Sequence, residues 1–370
     1  MALVNGLLRA RDAAHESNRV SGISSCFKNT RTGVLRDIRD WIMGKDSKPV
    51  FWLNGMAGIG KTTITRTIVE QKEDIWIASF FFSRDNTEAS NPLFVFPTLA
   101  YQLASRHRQL MPKIAKMIQA NADCTNHPLS KQVSEFIVDP LKELGNSDRT
   151  VLFVLDALDE CSSKEGASHI LQLLLTHAPS VPCNIRILVT SRPEKHIHRV
   201  FDKDGNQAKI VLHDIEREIV NSDIDKYVRH ELASIFKGLP PPDGNDIVHL
   251  VESSDNLFIH AATALRFIGD STVDDPQGQL SIILGSQQDP DAKPYSALDH
   301  LYLQVLAKAI PDNEATRGQV ERRIGSVIGV IVMLREPLPV TTLVKFVGTD
   351  RKSTRLNSSH SGESRMPSSA

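Results

Sequence analysis

Apolar residues in the first two thirds of the chain follow two alternating patterns. Short continuous apolar runs, typical of strands buried on both faces of a parallel sheet, alternate with stretches in which apolar residues recur every three or four positions, as on one face of a helix. The runs predict strands at 50–53, 75–82, 151–155, 185–189 and 209–212. Strands that alternate with helices in this way predict an α/β fold built around a parallel sheet.

Helical patterns without intervening strands dominate the chain after residue 213. They predict a helical lid and lie at 216–237, 245–254, 256–269 and 276–284. A further unit at 295–347 has helical segments that are followed by an extended, proline-containing stretch at 336–340. We interpret this unit as winged-helix-like.

One Gly-rich segment stands between the first predicted strand and a helical pattern. It runs Gly55-Met56-Ala57-Gly58-Ile59-Gly60-Lys61-Thr62 and is followed by Thr63. This is the pattern G-x-x-x-x-G-K-[ST], in which glycines let backbone N–H groups wrap around phosphate oxygens, while Lys61 supplies a positive charge and Thr62 a hydroxyl ligand for Mg²⁺. The alternative is an ordinary Gly-rich turn with a solvated lysine. The strand and helix that flank the loop favour a site for a nucleoside triphosphate.

Three acidic residues, Asp156, Asp159 and Glu160, follow the third predicted strand. Asp156 comes at the C-terminal end of a buried run, where α/β folds place their ligands, and it can hold the Mg²⁺ that Thr62 also contacts. Neighbouring carboxylates repel each other unless a cation lies nearby, which also favours a metal. We expect Asp159 or Glu160 to orient the water that attacks the γ-phosphate; for Glu160 the alternative is a solvated residue at the start of a helix.

A further candidate is Arg192, which follows the predicted strand at 185–189. At the end of that strand, a guanidinium group can reach the γ-phosphate and act as a sensor of ATP. The alternative is a surface arginine before a helix that begins with proline.

Composition limits the classes of function. The 370 residues are 41% hydrophobic and 24% charged, with a formal net charge of −1, so we expect neither nucleic acid nor a membrane surface as a partner. The four cysteines form no C-x-x-C pair, which argues against a zinc site and favours reduced thiols in the cytoplasm. The apolar run at 327–334 is too short to span a bilayer, and the first residues do not read as a signal peptide.

The patterns and motifs divide the chain into five predicted regions. They are an N-terminal helical linker region (1–46), a P-loop nucleotide-binding domain (47–214), a helical lid domain (215–286), a winged-helix-like domain (287–350) and a tail (351–370). The tail is rich in serine and has almost no apolar side chains, so we expect it to be disordered. Residues 350–360 resemble a translated sequencing adapter, and the alternative for the tail is a linker. We exclude the tail from the predicted fold.

These motifs give the chain a family resemblance. It resembles fungal NACHT-domain proteins of the STAND class of P-loop NTPases, relatives of the NOD-like receptors, over residues 26–349. The segments that carry the resemblance are 26–31, 55–62, 79–84, 96–100, 155–161, 188–194 and 256–259. The small Ala157 before Asp159 and Glu160 distinguishes the second motif from a generic one, whereas Asn256 stands where related chains often have glycine.

The resemblance implies an ATP/ADP switch with slow NTP hydrolysis in an innate-immunity or cell-death type of pathway. The helical and winged-helix units would close over ADP, and exchange for ATP would open them so that copies self-associate. The resemblance also implies an N-terminal effector domain and C-terminal sensing repeats. Neither is found in the sequence, so we expect a truncated fragment with unknown protein partners. The expected cofactors are Mg²⁺ and ATP or ADP, with GTP as the alternative nucleotide.

Two other functions stay open. A metabolic P-loop kinase or transferase should have an acceptor pocket and a mobile basic lid, whereas helical and winged-helix-like units are predicted here. An interaction scaffold that binds nucleotide without turnover should have lost the acids after Asp156, and Asp159 and Glu160 are present.

Overall fold

Five parallel strands form the centre of the fold, as the sequence predicts. They are β1 Val50–Asn54, β2 Trp76–Phe81, β3 Thr150–Asp156, β4 Asn184–Ser191 and β5 Gln207–Val211. Their order in the sheet is β2-β3-β4-β1-β5, and every neighbouring pair is parallel. The prediction of a parallel α/β fold is therefore confirmed.

The structure is a computed structural model. The residues that it describes are 4, 6–44, 48–70, 75–121, 123–143, 149–204, 207–271, 273, 275–285, 297–308, 310, 314–334 and 342–343.

Helices flank the sheet and continue beyond it. In chain order they are α1 Asn18–Ser21, α2 Thr32–Met43, α3 Lys61–Val69, α4 Thr87–Ser90, α5 Val95–Arg106, α6 Met111–Ala120, α7 Leu129–Val133, α8 Asp139–Lys142, α9 Lys164–His177, α10 Lys195–Asp204, α11 Arg217–Ile235, α12 Gly244–Ser253, α13 Phe258–Ile268, α14 Pro276–Gly285, α15 Ala297–Lys308 and α16 Glu314–Met333. A π-helical turn, Ser134–Val138, joins α7 to α8.

Both faces of the sheet are buried, which explains why its strands read as continuous apolar runs. In β1, Val50 and Trp52 point into one hydrophobic core, and Phe51 and Leu53 point into the other. This alternation follows from the two-residue period of a strand, and the apolar residues on both sides follow from helices that cover both faces.

The carboxyl ends of three strands meet at one edge of the sheet. The last residue of β1, Asn54, is in register with Ser191 at the end of β4, and Leu155 near the end of β3 is in register with Val189. The segments that follow β1, β3 and β4 therefore emerge side by side. These are the three segments in which the sequence analysis places its candidate residues.

The N-terminal segment packs against the sheet and crosses its edge strand β2. Ala10 and Ala13 belong to one hydrophobic core, whereas Val20 belongs to the other. Between them, the backbone N–H and Nδ1 of His15 lie 2.9 and 2.7 Å from the Oγ atom of Ser79 in β2. The segment thus covers an edge that would otherwise present unpaired backbone groups.

The helices after the sheet have a core of their own. In α11, Val220, Ile224, Val228 and Leu232 recur at helical spacing and are buried in a core that α12, α13 and α14 share, with α11 packed on α12 and α13. The bounds of these four helices agree with the predicted helical segments to within two residues. No described helix is long and apolar enough to cross a membrane.

A second compact unit comprises residues 305–370 and contains α16. The predicted extended stretch at 336–340 and the tail at 351–370 lie outside the described residues. The winged-helix-like domain and the disordered tail therefore stay predictions.

The environment of His15 makes a pH-dependent contribution to stability. Its Nε2 atom lies 2.7 Å from Nη2 of Arg106, which can only donate a hydrogen bond, so this nitrogen must be unprotonated. Burial, followed by the charge of Arg106, lowers the pKa of His15 from 6.5 to about 4. Between pH 6.5 and about 4, His15 is therefore protonated in the unfolded chain but neutral in the folded chain.

We predict that the free energy of unfolding falls as the pH is lowered from 6.5 towards 4, by up to ~1.4 kcal/mol per pH unit for one proton. His15→Gln should reduce this slope by the contribution of one proton, because glutamine does not titrate. His107, whose pKa burial also lowers to about 4, keeps its own contribution. Urea denaturation at several pH values measures the slope, and an equal slope in the variant would contradict the prediction.

Candidate functional site

The Gly-rich loop joins β1 to α3 at the carboxyl edge of the sheet. Gly58 and Gly60 have φ angles of +77° and +93°, in the left-handed region that side chains other than glycine rarely adopt. At Gly55, a Cβ atom would lie 2.1 Å from Cδ1 of Ile59, so a side chain here would require the Ile59 side chain to move. The loop therefore has the backbone that a phosphate cradle requires at the N-terminus of a nine-residue helix.

Lys61 spans this loop. Its Nζ atom donates hydrogen bonds to the carbonyl oxygens of Gly55 at 2.7 Å and Met56 at 2.8 Å. Burial lowers the pKa of the Lys61 ammonium, and the charges of Asp159 and Asp156 oppose this shift. The ammonium is thus fixed over the cradle with acidic groups nearby, which suits a contact with phosphate.

Asp156 ends β3 with its side chain buried, only 1% exposed. The Thr190 hydroxyl donates to Oδ1 of Asp156 at 2.8 Å and accepts the N–H of Ala157 at 2.9 Å. Burial raises the pKa of Asp156, and hydrogen bonds with Thr190, Thr62 and Thr65 oppose the increase. Thr62 and Asp156, the predicted Mg²⁺ ligands, therefore lie together.

The other two acids have separate partners. Asp159 accepts the N–H of Arg192 at 3.1 Å and forms an ion pair with Nε of Arg192 at 3.2 Å. Glu160 accepts the N–H of Arg84 at 3.2 Å. Burial raises the pKa of Glu160, and the hydrogen bond from Arg84 opposes this. The repulsion between the neighbouring carboxylates is thus offset by a separate contact for each of them.

A cavity of about 620 Å³ lies in front of the loop. The predicted site residues that line it are Ala57, Gly58, Gly60, Lys61, Thr62, Thr63, Asp159, Glu160 and Arg192. Asp156 is not among the lining residues and reaches the site through its contact with Thr62. A pocket of this size is sufficient for a nucleotide.

Arg31, which precedes α2, is a lining residue that the sequence analysis does not single out. Its Nη2 atom donates to the carbonyl of Ile59 in the loop at 3.0 Å, and its backbone N–H donates to Oδ2 of Asp223 in α11 at 2.8 Å. Its guanidinium carbon lies 4.8 Å from the ring centroid of Phe258 in α13. Its Nη1 atom is buried without a hydrogen-bond partner among the described residues. One side chain thus joins the loop, the lid and the cavity.

Further contacts hold α11 against the segment before α2. Lys226 donates to the carbonyl of Asn29 at 3.2 Å. The ring of Phe27 lies 4.7 Å from that of His230 and 6.1 Å from that of Tyr227, between ring centroids. Helix α11 therefore forms one wall of the cavity.

The start of α13 touches the phosphate-binding loop directly. The N–H of Ile259 donates to the carbonyl of Gly58 at 3.2 Å, and a Cβ atom on Gly58 would lie 2.4 Å from Cγ2 of Ile259. Asn256, in the turn before α13, has a φ angle of +62°. Asparagine tolerates this conformation better than most residues, which is consistent with the glycine in related chains.

Sequence reasoning finds the loop and the acids because their order along the chain is informative. It misses Thr190, although a polar residue near the end of an otherwise apolar strand is a usable signal. Arg31 and Asp223 are separated by 192 positions, and no local pattern indicates that they meet.

Comparison with known families gives one match. A family described as nephrocystin 3, N-terminal, matches residues 30–192, a segment that includes the loop, all three acids and Arg192. The match covers less than half of the chain. No curated protein matches the chain at a significant level.

Several solved structures show a likeness to the fold. A Walker-type ATPase of Pyrococcus abyssi has 13% identity and a TM-score of 0.48, with 88% of this chain and 92% of that chain covered. A signal transduction ATPase with numerous domains (STAND) that carries a tetratricopeptide repeat sensor, from Pyrococcus horikoshii, has 13% identity and a TM-score of 0.42, with 86% and 37% covered. The Aeropyrum pernix ORC1 protein in complex with DNA has 12% identity and a TM-score of 0.40, with 88% and 86% covered. These scores are too low to support an inference about function.

We predict that Thr190→Val destabilises the protein more than Thr190→Ser. Valine keeps the shape but removes one of the hydrogen bonds to the Asp156 carboxylate and the acceptor of the Ala157 N–H, at a cost of about 1–3 kcal/mol, whereas serine retains the hydroxyl. Chemical denaturation of both variants measures the difference. Equal stability of the two would show that the hydroxyl bridge is not important.

Proposed function

We propose that the protein binds ATP and ADP with Mg²⁺ in the cavity above the phosphate-binding loop and hydrolyses ATP slowly. The observation that carries the proposal is the convergence of Lys61, Thr62 and the buried Asp156 at the carboxyl edge of the sheet. Gly58 and Gly60 have the positive φ angles that favour glycine in a phosphate-binding turn. GTP is the alternative nucleotide.

Each candidate residue has a role in this proposal. Lys61 binds the β- and γ-phosphates, while Thr62 and Asp156 hold Mg²⁺, which neutralises charge on the phosphate oxygens. Glu160 orients the attacking water, because the Asp159 side chain is only 4% exposed and both of its oxygens contact Arg192, whereas Glu160 accepts the Arg84 N–H through one oxygen. Arg192 lines the cavity and senses the γ-phosphate.

The protein then acts as a STAND-type signalling switch. Exchange of ADP for ATP changes the position of the helical lid and permits self-association, in a pathway of the innate-immunity or cell-death type. Support comes from the resemblance to fungal NACHT-domain proteins and from the lid helices, whose Phe258 and Ile259 line the same cavity as the loop.

We predict that Lys61→Ala lowers the affinity for ATP and ADP roughly ten- to a hundredfold, because each lost charge-assisted contact contributes about 1.5–3 kcal/mol. Lys164→Ala, at an exposed position in α9, is the matched control and should bind as the wild type does. Isothermal titration calorimetry measures both. Equal ATP affinity of wild type and Lys61→Ala would reject the proposed site.

Hydrolysis provides a separate prediction. Glu160→Gln should bind ATP with nearly wild-type affinity but release phosphate roughly tenfold more slowly or worse, since water is no longer oriented while Thr62 and Asp156 still hold the metal. Glu165→Gln, at an exposed position in α9, controls for the loss of one charge. A wild-type rate for Glu160→Gln in a phosphate-release assay would place the catalytic role elsewhere.

A further inference from the structure

The part of the cavity away from the phosphate-binding loop is lined by two helices of the lid. On α11, Asp223, Tyr227 and Glu231 are spaced four residues apart and so share one face of the helix. Asp223 accepts the backbone N–H of Arg31, which turns this face towards the nucleotide-binding domain. Tyr227 and Glu231 follow along the same face and line the cavity.

The second helix, α13, has the same arrangement. Phe258, Ala262 and Arg266 are spaced four residues apart, and all three line the cavity. The hydrogen bond from Ile259 to Gly58 fixes the start of α13 at the phosphate-binding loop. Arg266 is eight residues beyond Phe258, about 12 Å further along the helix axis. The face thus extends from the phosphate-binding end of the cavity to its far end.

The middle of this surface is aromatic and apolar. The ring of Tyr227 lies 6.1 Å from that of Phe27 and 6.4 Å from that of Phe258, between ring centroids. Ala262 lines the cavity between Phe258 and Arg266 with only a methyl group. Aromatic and small apolar side chains leave a space that suits the flat face of a ring system.

A hydrogen-bond acceptor and a hydrogen-bond donor lie at the far end of this surface. Glu231 offers acceptor oxygens, and its contact within the described residues is with Nδ1 of the adjacent His230 at 3.2 Å. The side chain of Arg266 offers only donors, is exposed, and makes no hydrogen bond or ion pair with any described residue. The two side chains are close enough for both to act on Tyr227: after burial, Glu231 raises the pKa of Tyr227, and Arg266 lowers it.

We propose that Glu231 and Arg266 read the edge of the nucleobase, so that the helical lid determines which base the cavity accepts. For adenine, the Glu231 carboxylate accepts a hydrogen bond from the 6-amino group, and the Arg266 guanidinium donates to a ring nitrogen. The proposal rests on the proposed function, since it concerns the base of the nucleotide whose phosphates the loop binds.

The test compares ATP with purine riboside triphosphate, which lacks only the 6-amino group. The wild type should bind ATP about tenfold more tightly, the lower end of the range for a hydrogen bond to a charged group. Glu231→Ala should bring the two affinities to within about twofold of each other. Arg266→Ala should weaken both nucleotides but leave the affinity for inorganic tripolyphosphate unchanged. Calorimetry or competition binding measures all three ligands.

Glu218→Ala is the matched control, because Glu218 is an exposed residue of α11 that does not line the cavity. It should keep the wild-type preference for ATP over purine riboside triphosphate. An unchanged preference in Glu231→Ala, no preference in the wild type, or tighter wild-type binding of GTP than of ATP would overturn the proposal. The proposed function fails by a different result, namely equal ATP affinity of wild type and Lys61→Ala.

Discussion

The hydroxyl group of Thr190 makes the contact on which the arrangement of the site depends. It donates to the buried carboxylate of Asp156 and accepts the N–H of Ala157, so it joins β3 and β4 where both strands approach their ends. Ala157 has a φ angle of +54°, which is unfavourable for a residue with a side chain and turns the chain sharply after Asp156. The direction of the turn that carries Asp159 therefore depends on a threonine of the neighbouring strand.

The sheet and the phosphate-binding loop could be predicted because their signals are local. Strands buried on both faces give continuous apolar runs, and the loop needs its glycines and Lys61 in a fixed order. The strand ends are less predictable. Strand β4 continues through Thr190 and Ser191, which the apolar run leaves out. Both residues are buried because they have partners elsewhere: Thr190 bonds to Asp156, and the Ser191 hydroxyl accepts from Nε1 of Trp52 at 2.8 Å.

Contacts between distant segments could not be predicted, because a polar residue does not indicate its partner. His15 belongs to a region that the sequence predicts only as an N-terminal helical linker, yet it is 7% exposed and bonded to Ser79 in the edge strand. Asp159 and Arg192 read as two independent catalytic candidates, yet they form one ion pair. In both cases the cost of burying a polar side chain is offset by a partner that comes from a distant segment of the chain.

The lid and the phosphate-binding loop are coupled by Arg31. Its side chain donates to the carbonyl of Ile59 in the loop, and its backbone N–H donates to Asp223 in α11, so one residue bridges the loop and the lid. The Nη1 atom of the same side chain is buried without a partner among the described residues, which costs about 1–3 kcal/mol. A ligand oxygen that accepts a hydrogen bond from Nη1 would remove this cost. It could do so only while Arg31 keeps its contacts with Ile59 and Asp223. Because a ligand shifts an equilibrium by its differential contacts, such a ligand would favour the arrangement in which the lid and the loop are joined.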